Sequence, residues 1–453
     1  MRKLVMILTV LLLFVGALAG CSGGQGSTVK VSKEGDKIVV PFINGVGGSL
    51  ADRLDEIVKE YNDSQDKYVV KTTKAGNYTE SYQKLQSGFA ANNQEAIALI
   101  GSNVVQDYIK KELIVPMDEY INSDNELKVE DYGKGFIEQA RFDGDLYGIP
   151  LYGTTQVLYY NKKVLKENGF TADDLKTWEG LEEVAQKVSK RDANGDVTYA
   201  GWMPIWGTSN LIDAVHSAGG SVLSEDGTKV LINDETWVTV WEKFRTWLHE
   251  DKIMDIHTGG TGWEYWDNTI IDLVEGRTLG FTGSSGDQGF VFKSLGEGGD
   301  EQDRLDTFGV LPQPGWENHK PAPKLETYLL TLTRNIDPEV AQGAYDFMKF
   351  ATSTEKTAEW SMATGYIPVQ NNVTDYGPYA EFVKKQPQAL VPLEQANQYG
   401  VMPFLDPTDG KINDALNVAK DKVEIEGVPA KQALDEAAKI AQEALDKVLE
   451  KQK

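Results

Sequence analysis

Tyr147-Gly-Ile-Pro-Leu-Tyr-Gly-Thr-Thr-Gln-Val-Leu-Tyr-Tyr-Asn161 is an extended, partly β-branched run. An ordinary buried strand occupies ~4 to 8 residues, so this run is too long for one strand and reads as a segment that leaves one lobe and enters another. Upstream of it, Lys37-Ile-Val-Val-Pro-Phe-Ile43 reads as a strand, and Ser49 is expected to cap a helix whose Leu50, Leu54, Ile57, Val58 and Tyr61 share one face. Tyr68 to Thr73 reads as a second strand. Tyr78, Tyr82, Leu85 and Phe89 recur at helical spacing, and Ala96 to Ile100 is a short apolar run ending at Gly101. Strand, helix, strand, helix, strand is a parallel α/β unit. In such units ligands gather at the loops after the carboxyl ends of strands, here Asn44 to Gly48, Ala75 to Tyr78, and Gly101 to Asn103. These loops make Asn44, Tyr78, Ser102 and Asn103 candidates.

Downstream, Trp237, Trp241, Phe244 and Leu248 form a stripe assigned to core packing, and Gly276 to Phe281 and Thr307 to Leu311 read as strands. Pro429 stands at a first helical position before Leu434, Ala437, Ala441, Leu445 and Val448, the pattern of an amphipathic terminal helix.

At the amino end, Arg2 and Lys3 precede an apolar stretch from Leu4 to Leu18 and then Leu18-Ala19-Gly20-Cys21. The stretch is shorter than the ~20 residues that span a hydrocarbon core, and small residues precede the cysteine, so a cleaved signal peptide is expected. The segment resembles the lipobox of bacterial lipoproteins, which implies that Cys21 carries the lipid and holds the chain on the outer face of the cell membrane. Ser22 to Thr28 reads as a flexible tether. Cys21 is the only cysteine, so an exported body must be stabilised by its core and not by disulfides. A formal net charge of -24 argues against binding nucleic acid. With 453 residues, two lobes are expected.

Four pieces of sequence carry a resemblance: Ile114-Val-Pro-Met-Asp-Glu-Tyr120, Tyr147 to Asn161, Gly276 to Gly286, and Thr364-Gly-Tyr-Ile-Pro-Val369. In this order the chain resembles the extracellular solute-binding proteins of bacterial sugar-type ABC importers (family 1). Gly76-Asn77-Tyr78, Thr154 to Asn161, Trp202 with Trp206, and Thr364 to Pro368 look closest to the glycerol-3-phosphate-binding subgroup. The resemblance implies a type II periplasmic-binding-protein fold: two α/β lobes, a ligand cleft between them and hinge crossings. It implies one lobe of residues 29–151 and 313–363, and another of 152–312 and 364–453. It implies a monomer that hands a small solute to the transmembrane subunits of a permease, with no catalysis and no cofactor.

Carried over residue by residue, the subgroup's ligand tyrosines fall on Tyr78 and Tyr366. Its hydroxyl contacts fall on Thr154, beside Thr155, and on Ser284 or Ser285, and its cleft tryptophans fall near Trp202 and Trp206. Ser102 stands where the subgroup has a carboxylate, and Gln398 where it has an arginine for the phosphate. A buried phosphate needs charge-assisted hydrogen bonds, and no nearby cation is evident to replace that arginine. A mono- or oligosaccharide therefore fits better, its hydroxyls paired with amides and hydroxyls and its ring faces packed on Trp or Tyr. Glycerol-3-phosphate or a glycerophosphodiester is the alternative ligand, and a surface glycoside hydrolase or adhesin the alternative class.

Other motifs fail on spacing. Gly45-Val46-Gly47-Gly48 lacks the third glycine of a dinucleotide loop, since Leu50 stands there. Asp192 to Asp196 resembles a calcium loop but has its glycine at the fourth position. Gly283 to Asp287 misses the last glycine of a nucleophile elbow. His216, His249, His257 and His319 form no zinc signature.

Overall fold

The computed structural model describes residues 29–195, 197–294 and 299–451; the leader, Cys21 and the tether lie outside the described residues. Two sheets organise the chain. The larger has the order Lys33–Glu34, Lys37–Asn44, Ile97–Gly101, Glu326–Leu332, Ile149–Thr154, and Tyr68–Lys74 pairs in parallel along the whole of Lys37–Asn44. The smaller has the order Met203–Pro204, Gly280–Ser284, Gln156–Asn161, Phe308–Pro312. The run that ends at Asn161 thus splits at Thr155, with Ile149–Thr154 in one sheet and Gln156–Asn161 in the other. That division makes the fold two-lobed.

Local sequence explains the first unit. Its inward-facing Val40, Phe42 and Ile43 are fully buried, as expected of a strand covered on both faces. Helix Gly48–Ser64 buries Leu54 and Ile57 against them. Gly47, not Ser49, is its N-cap, and no side chain caps it. Helix Tyr78–Ala91 is capped as a short polar residue should cap it: the Asn77 side chain accepts the Glu80 N–H at 2.9 Å. Glu326–Leu332 is a central strand absent from the sequence reading. It runs antiparallel between Ile97–Gly101 and Ile149–Thr154.

The second unit holds its own core, in which Trp178, Trp202, Trp237, Trp241, Phe244 and Trp247 are fully buried. Gly280–Ser284 starts later than the expected strand from Gly276, because Gly276 adopts φ 73° in a turn. Helices Lys411–Glu424 and Ala430–Lys451 close this core. The chain passes between units at Thr155 and again through residues 313–325. Beyond 363 it remains beside the first unit: Ile367 bridges to Gly153 and Gln370 to Tyr132, and helix Gly377–Lys385 packs on helix Thr354–Thr364 around Ala358, Val373 and Tyr379. We place the return to the second unit at helix Val391–Tyr399, which packs on Phe308–Pro312. No described helix is long and apolar enough to cross a membrane.

Candidate functional site

A cavity of about 730 Å³ opens between the two sheets. From the first unit it is lined by the loop Gly45 to Gly47, by Gly76, Tyr78 and Asn103, and by Glu326 and Tyr328. Glycine is required at 45: a Cβ there would lie 2.5 Å from the Tyr78 nitrogen, so its absence lets the two strand-end loops touch and sets Tyr78 over the cleft. The Tyr78 hydroxyl meets that of Tyr152, and its ring lies 4.5 Å from Tyr328. Tyr152 in turn stacks on Tyr366 at 4.2 Å. Burial pushes all four phenols upward, so they are neutral hydroxyls at physiological pH, able to donate as well as accept.

From the second unit come Ser284, Asp287 and the segment Thr261 to Asn268. Thr154 Oγ1 lies 3.0 Å from Ser284 Oγ, joining the two walls. Ser284 Oγ accepts the Gly286 N–H at 3.1 Å, and a Cβ on Gly286 would strike the Tyr366 ring at 2.4 Å. Trp266 Nε1 donates to Asp287 Oδ1 at 2.8 Å. Burial drives the Asp287 carboxyl well above its ordinary range, and burial raises Asp267 as well. Gly259, Gly260 and Gly262, at φ 74°, 81° and 58°, bend the loop that delivers Trp263 across the cleft. There its ring stands edge-on to Tyr78 at 6.1 Å, and a Cβ on Gly47 would lie 2.7 Å from it.

The structure brings together five of the expected ligand residues: Tyr78, Asn103, Thr154, Ser284 and Tyr366 line the cavity. Four stand directly behind the wall. Asn44 Oδ1 accepts the Val46 N–H at 3.2 Å and shapes the first loop. Ser102 Oγ donates to Gln139 Oε1 at 2.6 Å, Thr155 Oγ1 accepts from Gln395 Nε2 at 3.0 Å, and Ser285 is fully buried. Three lie elsewhere. Trp202 belongs to the second core, its ring pressed on Gly280, where a Cβ would come within 2.4 Å. Trp206 donates to Asp421 at 3.1 Å beneath the Lys420 ammonium, 3.7 Å from its ring centre. Gln398 is exposed on helix Val391–Tyr399. The buried glutamine of that helix is Gln395, which accepts the Gln313 N–H at 2.6 Å and donates to the Gln156 carbonyl at 2.6 Å, tying both crossings together.

Sequence reading missed Trp263, Trp266, Asp267, Asp287, Glu326, Tyr328 and Lys324. The last corrects the premise that no cation is near: Lys324 lines the cavity, but its Nζ is 2.8 Å from Glu326 Oε2. Burial opposes its charge, and the carboxylates of Glu326 and Asp213 more than offset that, leaving it above its ordinary value. Asp213 is wholly buried, with Oδ1 accepting the Lys324 N–H at 3.1 Å, and burial pushes it up to about 7. Because its folded value is raised, its contribution to stability is full below the unfolded value of ~4 and is lost as pH rises through about 7. The melting temperature of the wild type should therefore fall across that window more than that of Asp213→Asn; parallel curves would refute this. Among the described residues no group of His, Cys, Asp and Glu side chains is disposed to hold a metal ion.

Residues 56–391 match the family described as bacterial extracellular solute-binding protein. The chain belongs to that family. It is an extracellular solute-binding protein of the kind that serves ABC importers. Among relatives of these solute-binding proteins, the sn-glycerol-3-phosphate-binding periplasmic protein UgpB of Yersinia enterocolitica is 25% identical over 379 residues, covering 81% of this chain and 82% of its own. The protein of the same name from Brucella abortus is 24% identical, covering 87% and 90%. The fold is similar to that of UgpB from Mycobacterium tuberculosis in complex with glycerophosphocholine, with TM-score 0.77, 17% identity, and 91% and 98% of the two chains covered. It is also similar to maltose-bound T. maritima MalE3, with TM-score 0.74, 17% identity, and 89% and 98% covered. The family and these relatives are binding proteins.

Proposed function

We propose that the ligand is a neutral sugar or short oligosaccharide. The observation that carries this reading is the make-up of the cavity: tyrosine and tryptophan rings beside hydroxyl and amide groups, with the one lysine among the described lining residues paired to a carboxylate. Ring faces take the apolar face of a sugar, while Tyr78, Asn103, Thr154, Ser284 and Tyr366 take its hydroxyls. Glu264 and Asp267 add negative charge at the rim, which disfavours a phosphate. Ligand then joins the two lobes and shifts the population toward a closed form for the permease to recognise. Anchoring through a lipid on Cys21 belongs to the same reading, with radiolabelled palmitate incorporation, abolished by Cys21→Ser, as its test.

A glycerophosphodiester is the second reading. Lys324 is within the cavity to meet its phosphate, and Trp263 and Trp266 beside Asp267 suit a quaternary ammonium. A thermal-shift screen against mono- and oligosaccharides, sn-glycerol-3-phosphate and glycerophosphocholine decides between them, because a ligand that binds only the folded state raises its melting temperature. A shift with neutral sugars is expected; a shift with phosphate compounds alone refutes the sugar reading. Turnover of a nitrophenyl glycoside would move the protein to the hydrolases.

A further inference from the structure

Glu326 opens the strand Glu326–Leu332 opposite Thr154 and is only 6% exposed. Gly101 makes room for it: a Cβ there would lie 3.0 Å from Glu326 Oε1. Lys324 reaches it from the 313–325 crossing, while the Lys324 backbone is held by Asp213 from helix Thr208–Ser217 of the second unit. The ammonium is thus paired with a carboxylate of the first unit, while the backbone of the same residue is held by a carboxyl group of the second. An unpaired cation in such a poorly solvated cleft would draw in a phosphate strongly. Paired at 2.8 Å, it presents almost no net charge to a ligand, and Glu264 and Asp267 make the remaining field negative.

Resting on the reading that this cavity holds the solute, we propose that Glu326 is a specificity-determining residue that masks Lys324 and so turns phosphate esters away. Glu326→Gln keeps the shape and removes the mask. Asp213 remains near Lys324, so the double variant Glu326→Gln with Asp213→Asn exposes the cation more fully.

The test titrates sn-glycerol-3-phosphate and inorganic phosphate calorimetrically into wild type, Glu326→Gln and the double variant. Wild type is expected to bind both only weakly, Glu326→Gln to gain about 10- to 100-fold in glycerol-3-phosphate affinity, and the double variant to gain at least as much. Adding Lys324→Met should abolish the gain, and raising the salt should reduce it. Should glutamine at 326 disturb folding, Glu326→Asp, which draws the carboxylate back from Nζ, gives the same comparison. A wild type that binds glycerol-3-phosphate and is unmoved or weakened by Glu326→Gln overturns the proposal. The sugar panel separates the two ideas: sugar binding by wild type without an anion gain in the variants sinks the mask alone. An anion gain in a protein that binds no sugar sinks the sugar reading alone.

Discussion

Alanine in place of Trp263 is expected to weaken binding of the neutral sugar by about 10- to 100-fold in calorimetric titration, the loss typical of a central aromatic anchor. The size of the effect follows from position. Trp263 belongs to the second unit, yet its ring lies against Gly47 and edge-on to Tyr78 of the first. Truncation therefore removes a ring face from the cavity and a contact between lobes in the same step. Tyr366→Ala should act in the same direction, since Tyr366 stacks on Tyr152 and touches Gly286. Trp206→Ala is the control: its indole is engaged by Asp421, Lys420 and Tyr265 outside the cavity, so affinity should stay within about threefold. An unchanged affinity in Trp263→Ala with a large loss in Trp206→Ala would reverse the assignment.

The second large effect is on stability. Trp202→Ala should cost about 3 to 5 kcal/mol in urea unfolding, the range for truncating a fully buried aromatic. Trp202 has no exposed surface and fills the space that Gly280 leaves beside strand Gln156–Asn161. Glycine cannot be enlarged there to compensate, so the cavity would remain. Sugar affinity of the folded fraction should change little. A loss below about 1 kcal/mol together with abolished binding would return Trp202 to the cleft.

Much of the architecture was legible because it is written in local pattern. The alternation of apolar strands and amphipathic helices up to Gly101, and the excessive length of the run ending at Asn161, are properties of neighbouring residues. Glu326–Leu332 had a visible signal in Tyr328-Leu-Leu-Thr-Leu332, but nothing local says that such a run inserts between two strands far upstream. The cavity lining was legible where a loop follows a strand, as at Tyr78 and Asn103, and where the resemblance pointed to Thr154, to Ser284 or Ser285, and to Tyr366. It failed for tryptophan. A sugar face and a protein core both favour that side chain, so residue type alone could not assign Trp202 and Trp206. The pair that lines the cavity, Trp263 and Trp266, did carry a signal: two indoles one helical turn apart after Gly259, Gly260 and Gly262. Lys324 carried none, because its meeting with Asp213 depends on a crossing that joins residues 111 positions apart.

A neutral solute held between two lobes should close them on it. Small-angle scattering of the wild-type protein, alone and with each neutral sugar that raises its melting temperature, tests this most directly. A smaller radius of gyration with sugar, absent in Trp263→Ala at the same concentration, is the result expected. Sugar bound at saturation with no change in radius would contradict closure, and compaction by glycerophosphocholine alone would contradict the assignment of the ligand.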